Sequence, residues 1–181
     1  DIRENLLRYL ALFFLVALVM YMVVAIVGAA ETIMQGTKES GRVHHREDGQ
    51  FGVFVPLTEK ETAQITEKGV TLQMDFSLDF HLGQSTFRVY QARETVDLFV
   101  PAEGEEIPAQ GEILLEQHYA EKHELQLGDI FIVGGKEFTV AGIGSTPDYD
   151  AAFEKTSDTT VDSNLFGFGF VTAEDYEALK A

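Results

Sequence analysis

Cysteine is absent from the 181 residues, so a disulfide framework, a thiolate metal site and a Cys-x-x-Cys redox motif are all excluded. That absence selects no compartment; it only removes any need for oxidising conditions. Basic residues are scarce as well, with 13 Lys plus Arg against 30 Asp plus Glu and a formal net charge of −17. Asp1, Arg3, Glu4 and Arg8 cancel among themselves, so the excess of acid belongs to the rest of the chain. Such a surface repels phosphate backbones and anionic headgroups, which argues against nucleic acid as a partner. Cationic ligands are the class it admits, although the ordinary role of this much charge is to keep a folded domain solvated.

The motifs of common chemistries are missing too. There is no Gly-x-Ser-x-Gly elbow and no phosphate-cradling glycine loop. His44 and His45 are adjacent, so in a strand they point to opposite faces and cannot share a metal. His118 and His123 are five apart, not the i, i+4 of a zinc-binding helix. His81 has no partner evident in sequence, and all five histidines read as surface residues. The acidic stretch Asp148, Asp150, Glu154, Asp158 and Asp162 starts like a calcium loop. Ala152, Phe153 and a missing glycine break the EF-hand pattern, so it reads as a solvated excursion spanning Thr146 to Asn164. An anchored hydrolase would need His81, Ser85 and Asp79 to act together, for which their spacing gives no support. Phe166, Phe168 and Phe170 alternate with glycine, as in a buried strand face against a close neighbour rather than a stacking platform for a ligand. No catalytic, cofactor-binding or metal-ligating residue is therefore assigned, and no cofactor is implied.

What the chain does contain begins with a run free of charge. From Tyr9 to Ala30 no Asp, Glu, Lys, Arg, Asn, Gln or His occurs. As a helix this run is about 33 Å long, enough for a hydrocarbon core of about 30 Å. It exceeds the 7–15 residues or so of a signal-peptide core, which favours an uncleaved anchor despite Gly28-Ala29-Ala30. Arg3 and Arg8 precede it and Glu31 follows, so the positive-inside rule puts the N-terminus in the cytoplasm and the acidic domain outside the cell membrane. Ile2, Leu6 and Leu10 repeat every fourth residue, which suits an amphipathic lead-in at the cytoplasmic interface. The expected organisation is a cytoplasmic lead-in (1–8), a transmembrane helix (9–30), a joint (31–41) that begins as a fraying helix, and an extracytoplasmic domain (42–181). The chain opens on Asp1 rather than Met, as an excerpt or processed product would.

The outer part reads as α+β, a mixed and largely antiparallel β domain with a few short helices. Asp48-Gly49 separates Arg42–Glu47 from Phe51–Val55 as in a first hairpin. Thr58 and Glu61 form a capping box, and Gly69 stops the helix that follows. Val70, Leu72, Met74 and Phe76 alternate like a half-buried strand, continued by Leu78, Phe80 and Leu82. Gly83-Gln84 turns the chain back through Phe87 and Val89. Ile113–Leu115 is a short strand feeding a helix over Gln117–Glu124, and Gly128-Asp129 is a turn. Gly134-Gly135 joins Ile130–Val133 to Lys136–Ala141 in a hairpin whose Phe131, Val133, Phe138 and Val140 share faces. Phe166–Phe170 is a last strand, and Thr172 to Asp175 caps a terminal helix.

Four stretches together carry a resemblance. They are Gly111–Ile130 (GEILLEQHYAEKHELQLGDI), Gly134–Ile143 (GGKEFTVAGI), Ser145–Tyr149 (STPDY) and the opening Asp1–Leu10 (DIRENLLRYL). The combination resembles the first transmembrane segment and the extracellular or periplasmic core domain of FtsX-like, MacB-like ABC transporter permeases. That resemblance implies a non-catalytic outer domain that couples ATP-driven motion to the handling or export of a substrate. It implies a cytoplasmic ABC ATPase subunit, a second permease copy or homologue, and the lipid bilayer as partners. Outside, it implies a peptide, a lipoprotein or an accessory extracytoplasmic protein. The alternative from the residues alone is a single-pass, membrane-anchored extracytoplasmic binding or sensor domain with no part in transport.

Overall fold

The structure, a computed structural model, describes residues 5–149, 152–154 and 158–180. The chain divides into two compact units, Asp1–Arg42 and Val43–Ala181. The lead-in residues Ile2, Arg3 and Glu4, and Asp150 of the acidic excursion, lie outside the described residues.

The first unit is one helix, α1 (Leu6–Val43, 38 residues). Its apolar part is long and uncharged enough to cross a membrane, and none of its residues is buried. The helix does not fray at Glu31 but runs on through Gly36 and Gly41. Local bonds help it continue: the hydroxyls of Thr32 and Thr37 donate to the carbonyls of Gly28 and Ile33 at 2.9 and 3.0 Å. Arg42 meets Glu39 one turn back at 2.6 Å, a pairing worth a few tenths of a kcal/mol on an exposed helix face.

The second unit is built on one seven-stranded sheet with short helices. Its elements are α2 (Glu59–Thr66), β1 (Ser77–Leu82), β2 (Ser85–Gln91), β3 (Val100–Gly104), β4 (Glu112–Glu116), α3 (Gln117–Lys122), β5 (Ile130–Val133), β6 (Lys136–Ser145), β7 (Phe166–Val171) and α4 (Ala173–Leu179). The order is β1-β2-β7-β4-β6-β3, with β5 also on β6. The pairs β2–β7 and β4–β6 are parallel and the other four antiparallel, so the α+β, mostly antiparallel reading stands. The ten residues of β6 serve two neighbours on one edge, β5 along Lys136–Thr139 and β3 along Gly142–Ser145.

Period-two alternation sorts the core into two layers. On one face Phe87, Val89, Ile113, Leu115, Phe131, Val133, Phe138, Val140 and Val171 pack with Tyr119 of α3 and Tyr176 of α4. On the other, Tyr90, Leu114, Phe166, Phe168 and Phe170 pack with Phe99 and Ala152. β7 shows why its phenylalanines alternate with glycine. The phenylalanines fill one layer, while a Cβ on Gly167 would lie 2.2 Å from the Tyr119 ring in the other. The expected hairpin forms as β5–β6, and Gly134 and Gly135 both adopt positive φ (58° and 74°). The Thr58–Glu61 capping box and the Thr172 cap also form.

Three local expectations fail. Arg42 and Val43 end α1, and Phe51–Val55 joins no strand, so the hairpin across Asp48-Gly49 does not exist. The strand expected from Val70 begins only at Ser77, because its partner β2 reaches Tyr90 opposite Ser77 and then turns away, with Ala92 bonded to Val171. β3, unforeseen in the sequence, is a short edge strand that tolerates Pro101 there, where a missing N–H breaks no ladder.

Candidate functional site

The most constrained polar structure is a knot around Arg93, just past β2. Its side chain is only 4% exposed. Nε and one Nη bond Oδ1 of Asp75 at 3.2 and 3.0 Å, and the other Nη bonds Oδ2 of Asp148 at 2.9 Å and the Asp97 carbonyl at 3.4 Å. The guanidinium lies over the rings of Tyr90 and Phe170 at 5.3 and 5.4 Å. A buried cation of this kind is tolerable only when paired and hydrogen-bonded. Burial works against its charge, but attraction to Asp148 and Asp75 and the hydrogen bonds they accept prevail, and its pKa is raised.

The knot adjoins the first residues after α1. Leu98 and Asp97 donate their N–H groups to the carbonyls of His44 and His45, each at 3.0 Å. The Asp97 carboxylate accepts from the Glu47 N–H at 3.0 Å. Nδ1 of His45 donates to the Thr95 carbonyl at 2.9 Å, which defines the protonated ring nitrogen. The acids Glu47, Asp97, Asp148 and Asp75 thus gather about one arginine. Burial, then the charges of Asp97 and Asp148, raise the Glu47 pKa, and burial first raises that of Asp97. Within this region the hydroxyl of Thr146 and Oδ1 of Asp148 are buried without a hydrogen-bond partner among the described residues.

A second arginine, Arg88, holds Asp79 bidentately at 2.7 and 2.8 Å and lies over the Phe166 ring at 5.1 Å. The Tyr90 and Tyr149 hydroxyls share a hydrogen bond of 2.8 Å. Burial, then the neighbouring Tyr149, pushes the Tyr90 phenol well above its ordinary range. These contacts seal the Phe166/Phe168/Phe170 layer, whose rings are buried against Tyr149 and Phe99.

The residues singled out in sequence fall apart in space. Asp79 is committed to Arg88, and the Ser85 hydroxyl donates to the Leu82 carbonyl at 3.0 Å and meets the Tyr119 hydroxyl at 3.2 Å. His81 meets the Thr86 hydroxyl at 3.5 Å. Those three therefore do not assemble into a nucleophile–base relay. His118 faces Glu121 at 3.6 Å on the surface, and the His123 ring lies 4.0 Å from that of Tyr119. Among the described residues no three His, Asp or Glu side chains converge as metal ligands. Asp148 corrects the solvated-loop reading, since it is largely buried and ion-paired. Arg93 is not legible in the sequence because its partners lie 18 and 55 residues away. The one local signal is an arginine two residues beyond the end of β2.

Compared with protein-family models, curated proteins and solved structures, the chain has no match.

Proposed function

We propose that this chain is a membrane-anchored part of an ABC transporter permease, FtsX/MacB-like in kind. Its outer domain passes ATP-driven motion of a cytoplasmic partner ATPase to the handling or export of a substrate. The observation that carries the reading is the continuity of α1 past its apolar part. At 1.5 Å per residue the helix is about 57 Å long, against about 30 Å of hydrocarbon. It ends at Val43, and the next two residues, His44 and His45, are held by main-chain bonds to Leu98 and Asp97. His44 and His45 thus already belong to the hydrogen-bonded domain, so no long flexible stretch of sequence separates it from the last residue of α1, which is what a motion-coupling role would need. The bare apolar surface of α1 supports a lipid setting, and Arg8 in its first turn, before the uncharged run, supports a cytoplasmic N-terminus.

The test is to loosen that connection in the assembled transporter. Inserting Gly-Gly-Ser between Val43 and His44 should leave basal ATP turnover intact and reduce transport by about tenfold or more. The same insertion between Gly49 and Gln50 should be tolerated. Transport unaffected by the first insertion, or failure of the chain to associate with any ATPase subunit, would overturn the reading.

A further inference from the structure

Val70, Leu72, Met74, Phe76, Leu78, Phe80 and Leu82 form one unbroken period-two apolar stripe. Its second half, Leu78, Phe80 and Leu82, packs on the core layer beneath α3 and α4, while of the first half only Leu72 is half-buried. The first half overhangs the end of β2. Val70, Met74 and Phe76 are 46%, 61% and 53% exposed, and no backbone–backbone hydrogen bond engages residues 70–76 among the described residues. β1 is the terminal strand of the sheet, so its outer edge is open too. The Met74 carbonyl accepts from the Gln73 side chain at 3.2 Å, but a stretch with strand patterning, apolar side chains in water and no ladder of its own is a template for another strand.

We propose that residues 70–76, with the outer edge of β1, take up an extended segment of another protein by strand addition, and that this segment alternates apolar with basic residues. Charge decides the occupant. A second copy would bring together two chains of net charge −17, whereas a basic strand is attracted. Asp75 supplies a specific acceptor. Both of its bonds to Arg93 use Oδ1, so Oδ2 remains for an incoming Lys or Arg, while the carboxylate itself stays held in place. The partner's apolar residues would cover Met74 and Phe76 and complete the stripe, and its basic residues would lie on the Asp75 side. This inference concerns an edge of the sheet and does not rest on the coupling role proposed above.

The experiment measures binding of two fluorescent, acetylated peptides of about eight residues, one strand length, to the full chain in detergent. One alternates Lys with Val and the other Glu with Val. The Lys peptide should bind, weaken with added salt, and outcompete the Glu peptide by about tenfold or more. Thr71→Pro and Leu72→Pro remove successive N–H groups, which in a strand point to opposite edges. Neither N–H serves the fold, so both variants should melt like the parent, and at least one should lose binding about tenfold. Equal binding of the two peptides, no binding of either, or undiminished binding by both proline variants would overturn the proposal. Self-association of the chain that the proline variants abolish would overturn it in favour of a second copy.

Discussion

Asp97 donates its backbone N–H to the carbonyl of His45 at 3.0 Å, and both residues are non-glycine residues in the left-handed region, at φ 49° and 54°. Two such conformations bonded to one another mark a joint whose geometry is imposed by its surroundings rather than by local preference. Asp97 has a second task there, since its carboxylate accepts the Glu47 N–H. Asp97→Ala should thus lose a hydrogen bond and leave at this φ a residue that tolerates the left-handed region less well than aspartate, destabilising by about 2–3 kcal/mol. Asp97→Asn keeps an acceptor and tolerates the left-handed region, so it should fall within about 0.5 kcal/mol of the parent. Denaturant unfolding of the chain in detergent, followed by circular dichroism, separates the two.

The same joint should carry a pH signature. Glu47 has its pKa raised by burial and then by Asp97 and Asp148, so the folded state takes up its proton at a higher pH than the unfolded chain. Over the interval from the ordinary glutamate value up to the folded pKa, the folded state binds more protons. Stability from this group therefore falls as pH rises through that interval and recovers as pH is lowered. Glu47→Gln mimics the protonated form. It should stabilise at neutral pH by roughly 0.5 kcal/mol after solvent screening, and that gain should vanish on acidification. A gain independent of pH would show that the charge is not responsible.

Orientation is open to a direct measurement because the chain has no native cysteine. Single cysteines at Asn5 and Glu137 should react from opposite sides of a sealed membrane, the second with impermeant reagent added outside. Equal labelling of both from one side would invert or remove the proposed topology.

The sequence was most legible where one local rule decides the outcome. The capping box of Thr58 and Glu61, the positive φ of Gly134 and Gly135 and the uninterrupted apolar run of α1 each depend on neighbouring residues, and each appears where expected. The failures are those in which a distant partner decides. Val70–Phe76 has the alternation of a strand, yet β2 ends before reaching it. Asp48-Gly49 has the chemistry of a hairpin turn, but His44 and His45 pair with Leu98 and Asp97 instead. Asp148 reads in sequence as one solvated acid among several because nothing local reveals that Arg93 is its partner.

The glycines of β7 give a steric prediction. The Cβ of Gly167→Ala would sit 2.2 Å from Cγ and Cδ2 of Tyr119, a ring buried against Phe87 and Phe131. Tyr119 cannot swing aside without breaking those contacts and its bond to Ser85. A loss of about 3 kcal/mol or more is expected, at the upper end of overpacking effects. Gly52→Ala, where an added Cβ meets nothing within 4 Å, should change stability by no more than about 0.5 kcal/mol.

The two arginines of the polar layer should differ in weight, although each pairs with aspartate. Arg88 holds Asp79, whose side chain is 42% exposed, so Arg88→Met leaves a carboxylate that water can solvate and should cost about 1 kcal/mol. Arg93 holds Asp148, whose side chain is mostly buried and already has one oxygen without a partner. Arg93→Met removes the bond to Oδ2 and strands a charge away from solvent, which should cost about 3–5 kcal/mol. Replacing the acid as well tests this explanation. The double variant Arg93→Met/Asp148→Leu should recover part of the loss, with a coupling energy of about 1–3 kcal/mol, because the stranded charge is gone. Arg93→Lys should fall between, since an ammonium keeps the charge but cannot span Asp75 and Asp148 with a planar fork. If Arg93→Met and Arg88→Met cost the same, or if removing Asp148 brings no recovery, burial of the pair is not what gives Arg93 its weight.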